Sequence, residues 1–166
     1  MKWKHAFVIG VLSGAVMSLV LALFRLFGLN ALIGTLLGTM FGLPISANTW
    51  LLGFLIHLVI SGSIAILYAL GFEYFTHRAN GYIGALFSLF HILVAGIMIG
   101  FMPVNYQQIS QEIAEPGFFM MRWGSIAIIA FLSSHLIYGT LLGLMYGPVK
   151  HVSGRYRSGE PSMSRG

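Results

Sequence analysis

Ala6 to Phe24 holds only apolar residues, Gly and Ser. As a helix those 19 or so positions reach ~28 Å, about one hydrocarbon thickness of a bilayer. Comparable apolar runs follow: from Ser46 or Trp50 to Leu70, from Tyr82 to Phe101, and from Phe118 or Trp123 to Tyr146, the last with Arg122 near its start. Four such runs restrict the chain to an all-α, polytopic membrane protein with four transmembrane helices. Composition agrees, since only 8% of residues are charged against about 25% in a soluble domain. Residues 1–148 read as one transmembrane domain, and 149–166 as a basic, disordered cytoplasmic tail rich in Ser and Gly.

Lys2 and Lys4 precede the first run, as positive residues precede a signal peptide. The run exceeds the ~7–15 residues of such a segment and lacks a small-x-small cleavage site, so it reads as an uncleaved helix. Leu29 to Leu43 is also apolar, with Gly34, Gly38 and Gly42 at every fourth position and Pro44 at its end. Its ~22 Å is short for a span, which suggests a short outer-face or re-entrant helix near 29–43.

With four spans, Lys2, Lys4, Arg78, Lys150, Arg155, Arg157 and Arg165 fall on one side, and Arg25 and Arg122 on the other. The positive-inside rule then places both termini in the cytoplasm. The net charge of +5 suits anionic lipid better than nucleic acid, because the basic residues cluster at span edges.

His57 and His135 each precede a tyrosine by eleven positions, Tyr68 and Tyr146. Small residues share the face between them: Ser61 and Ala65 in one, Gly139 and Gly143 in the other. The first and third spans align more loosely, with Gly10 on Gly84 and Met17 on His91. Together these suggest an internal repeat of two helical hairpins. Counted from Tyr68, Tyr82 and Tyr146 as cytoplasmic edges, His57, His91 and His135 lie ~14–17 Å deep, one layer near the midplane.

That layer admits several readings. The three histidines could bind a cofactor, either haem b or a transition metal, with Met17 a conceivable substitute ligand. They could relay protons or line a small-solute pathway. They could also only hydrogen-bond across helices, with Ser13, Ser18, Ser61, Ser63, Ser88, Ser133, Ser134 and Thr140 at hand as partners. No dedicated metal site is expected, because no carboxylate lies within the runs to orient an imidazole. Absence of Cys and Asp excludes thiolate chemistry and a Ser-His-Asp set. The glycine ridges Gly34/Gly38, Gly96/Gly100 and Gly139/Gly143 read as helix-packing faces, and Arg122 can pair with Glu112 or Glu115.

The His57 segment with Tyr68, the His91 helix ending in Met102-Pro103, and His135-Leu136-Ile137-Tyr138-Gly139 together resemble small bacterial inner-membrane proteins of the YagU-like kind. The likeness covers roughly Trp50 to Pro148. It implies a four-helix inner-membrane protein and no particular activity. The leading expectation is a non-enzymatic membrane protein that has no cofactor and is a homo-oligomer or an accessory subunit of a larger complex. Small-residue ridges motivate it.

Overall fold

The computed structural model describes residues 2–29, 33–102 and 115–149. The basic tail and most of the polar loop before Glu115 lie outside the described residues. The described residues form five α-helices: α1 (Trp3–Phe24), α2 (Ile33–Thr39), α3 (Ala47–Leu70), α4 (Gly81–Gly100) and α5 (Ser125–Tyr146). Among the described residues, four stretches are long and apolar enough to cross a membrane: Trp3–Phe27, Ala47–Thr76, Gly81–Gly100 and Ser125–Tyr146.

Helix starts follow local chemistry. Ser46 caps α3 by accepting from the Thr49 amide at 3.2 Å, and Asn80 caps α4 by accepting from the Ile83 amide at 2.9 Å. Two boundaries differ from the sequence reading. The second apolar run ends at Leu70, yet Gly71–Thr76 is a wide helical turn that prolongs α3 and ends at left-handed His77. The last span starts at Ser125, because Phe118–Trp123 forms a separate tight turn between Gly117 and Gly124, both at positive φ. The short helix near 29–43 is narrower than its apolar run, at seven residues.

Glycines set how the helices meet. In the first hairpin a Cβ on Gly10 would strike Ser61 and Ala65 of α3, and one on Gly14 would strike the Ser61 side chain. In the second, a Cβ on Gly84 would strike the Gly139 backbone of α5, and one on Gly139 would strike the Ser88 side chain. Aligning His57 with His135 and Gly10 with Gly84 makes these the same contacts, so the two hairpins share one packing geometry. Such close approach lets backbones touch where larger side chains would hold them apart.

The other ridges are consumed inside the chain as well. Gly38 abuts the Thr49 backbone, and Gly53 abuts the Gly34 carbonyl, which seats α2 on α3. Gly96 and Gly100 receive the rings of Phe119 and Phe118. Gly143 faces the Asn80 carbonyl.

The two hairpins join along α1 and α5. α5 is the central element, half of its span buried against 17% for α4. α3 and α4 flank this seam and scarcely approach each other's backbone. They meet through side chains near the termini, where Phe72 stacks on Phe87 at 5.5 Å and Tyr68 meets Phe87 edge-on. Farther from the termini they stand apart.

Candidate functional site

The gap between α3 and α4 is a cavity of about 660 Å³, within the ~300–1,000 Å³ of small-molecule sites. Its walls are chiefly apolar: Leu21 of α1, Phe54 and Ile64 of α3, Val94 and Met98 of α4, Phe131 of α5. α2 contributes Gly34 and Leu37. Leu36 of the same helix packs toward Met102 and Trp123, so α2 bridges the end of the gap far from the termini. Arg25, exposed at the end of α1, also lines it. Ile60, Val94 and Met98 are exposed on the α3 and α4 edges, so the cavity opens sideways on the outer surface of the bundle.

All three histidines of the sequence reading line this one cavity, together with Ser61, Ser134 and Tyr138. His91 and His135 touch edge to face, with ring centroids 4.9 Å apart. His135 donates from Nδ1 to the Phe131 carbonyl one turn back at 2.8 Å. A carbonyl can only accept, so the proton is on Nδ1 and Nε2 is left as an acceptor. His91 Nδ1 lies 3.3 Å from the Tyr68 hydroxyl. His57 faces the Gly14 carbonyl of α1, and its Nε2 is buried with no hydrogen-bond partner.

The serines do not partner these histidines, contrary to the hydrogen-bonding expectation. Ser61 donates to the His57 carbonyl, Ser88 to Ala85, Ser133 to Ile129, Ser134 to Phe131, and Thr140 to Leu136. A carbonyl of the preceding turn is already within reach in any helix, and no chain entropy is lost in using it. Ser13 Oγ is buried without a partner. The imidazole partners are instead a tyrosine and backbone carbonyls.

Tyr68, expected at a cytoplasmic edge, is 5% exposed and packs edge-on against His91, Phe87 and Tyr138. Tyr138, 1% exposed, donates to the Ser61 carbonyl across the bundle. Neither role carries a motif. An aromatic in an apolar helix reads the same whether its hydroxyl points to a headgroup or to a histidine on another span. Tyr146 is equally buried and donates to Glu73 at 2.8 Å, which fixes the end of α5 to the turn after α3.

Among the described residues, no three His, Cys, Asp or Glu side chains are grouped as a metal site would need. A porphyrin ligated by both His91 and His135 would have to wedge apart rings already in contact. On the side of the termini, the Phe72–Phe87 stack adjoins Tyr68 and interrupts the run of polar groups. Arg122 pairs with Glu115 at 2.7 Å just before α5. No protein-family model, curated protein or solved structure matches this chain.

Proposed function

We propose that this chain is a non-enzymatic, multi-pass protein of the bacterial inner membrane, with both termini cytoplasmic, that binds a small apolar molecule drawn from the bilayer. The cavity carries the reading: a void of about 660 Å³ with greasy walls, open between α3 and α4 where lipid would lie, and floored by His91, His135 and Tyr138. Apolar walls with a few convergent polar groups are the usual makeup of a ligand pocket. The Lys/Arg bias supports the orientation, and the resemblance to YagU-like proteins supports the inner membrane. Self-association draws no support from the glycine ridges, since their partners lie within the chain.

The test is extraction. Protein purified in mild detergent, washed and extracted with organic solvent should release about one apolar molecule per chain, identified by mass spectrometry. Ala95→Trp, placed on the cavity wall, should lose that molecule while remaining folded by circular dichroism. An identical extract from both proteins overturns the reading.

A further inference from the structure

Proton accounting at the cavity floor indicates what the ligand must carry. Ser61 Oγ donates to the His57 carbonyl at 2.8 Å, and Ser134 Oγ to the Phe131 carbonyl at 3.0 Å. Tyr138 donates to the Ser61 carbonyl, and His135 Nδ1 to the Phe131 carbonyl. Four polar side chains that line the cavity have therefore committed their protons to backbone and present lone pairs only.

His91 is the complement. Among the described residues, Tyr68 has one acceptor in reach for its proton, His91 Nδ1 at 3.3 Å. A buried hydroxyl left undonated costs free energy, so Tyr68 donates and the His91 proton sits on Nε2. The His135 ring, its centroid 4.9 Å from that of His91, offers Nε2 as an acceptor. One N–H donor next to one ring lone pair matches a group that accepts and donates through a single atom. A hydroxyl does both. At the level of the histidines a carboxylate or phosphate would meet a ring of lone pairs, since Arg25 lines the cavity only at the exposed end of α1, and a cation would meet the His91 N–H.

We infer that the cavity recognises an apolar molecule through a neutral hydroxyl group, which accepts from His91 Nε2 and donates to His135 Nε2, its hydrocarbon body lying along α3 and α4. This rests on the proposed binding of an apolar molecule and specifies its chemical class. A prenol, a quinol and a diacylglycerol all carry the group.

Three brominated probes of one length separate the claims: ω-bromoundecanol, its methyl ether, and bromoundecane. Each is added to protein in lipid nanodiscs at equal mole fraction in the bilayer. The readout is the saturable component of tryptophan quenching, for which Trp50 on the cavity wall is the reporter. The alcohol should bind roughly tenfold tighter than either of the others, because two hydrogen bonds to otherwise idle groups form. His135→Phe should reduce that preference to about twofold or less while bromoundecane still binds, which also shows the variant is folded. If the ether matches the alcohol, or all three bind alike, the hydroxyl inference falls and apolar binding stands. If none quenches saturably, the binding proposal itself falls. The ether comparison uses wild-type protein, so it decides the matter even where the variant does not fold.

Discussion

Gly84→Ala tests the packing scheme directly. The new methyl would sit inside contact distance of the Gly139 carbonyl and the Gly143 amide. Those are main-chain atoms of α5, so relief requires α4 and α5 to move apart. Forced insertion of one carbon into a packed interface costs about 1–3 kcal/mol. Against this, alanine in a helix gains about 0.5–1 kcal/mol over glycine. The contact is with main chain, which cannot yield, so the net expectation is a loss of about 1 kcal/mol and at most about 2.5 kcal/mol. Gly10→Ala should cost about the same, because its methyl meets the equivalent Ser61 carbonyl and Ala65 in the other hairpin. Gly81→Ala is the control: its methyl would lie 3.2 Å from the Leu144 side chain, which can rotate away, so the change should stay within about 0.5 kcal/mol. Reversible unfolding in mixed micelles of mild detergent and increasing dodecyl sulfate reads all three. A Gly84→Ala or Gly10→Ala protein as stable as wild type would refute the backbone-contact argument.

Asn80→Ala removes the cap on α4 and should lower stability by about 1 kcal/mol in the same titration; an unchanged midpoint would remove the cap's role. Nitrogen-15 NMR of the imidazoles should place the proton of His135 on Nδ1 and that of His91 on Nε2. The opposite assignment at His135 would contradict its bond to Phe131. Tyr68→Phe should cost about 1 kcal/mol and alter the His91 resonances, with those of His57 nearly unchanged. Protein isolated from haem-supplied cells should be colourless, and a haem absorption band would favour ligation by His57, His91 or His135 over apolar binding.

Much of the fold is written in hydropathy. Apolar runs locate four span-length helices within a few residues, and Gly147 and Pro148 mark the stop of α5. Counting along the helices is also enough to expect His57, His91 and His135 at one level, and all three line one cavity. What cannot be read is which face meets which. Helices that are apolar all round have no polar stripe to orient them. Nothing local therefore says that α3 and α4 stand apart, or that Tyr68 turns to His91 and not to a headgroup. The turn at Phe118–Trp123 is hidden for another reason. Phe119 and Met120 adopt left-handed backbone angles, φ 52° and 61°, which cost non-glycine residues about 1–2 kcal/mol each. Only tertiary packing, with the rings of Phe118 and Phe119 seated on α4 glycines, holds them there.

The matched glycine contacts make each hairpin a stiff unit, since neither pair of helices can slide without a main-chain collision. Freedom to breathe is then concentrated in the α1–α5 seam, about which one unit would rock against the other like the covers of a book. Entry of a guest from the side would be governed by that tilt. Because the chain has no native cysteine, a thiol pair introduced at Ile60 and Val94 and then cross-linked should slow exchange of a bound probe in both directions.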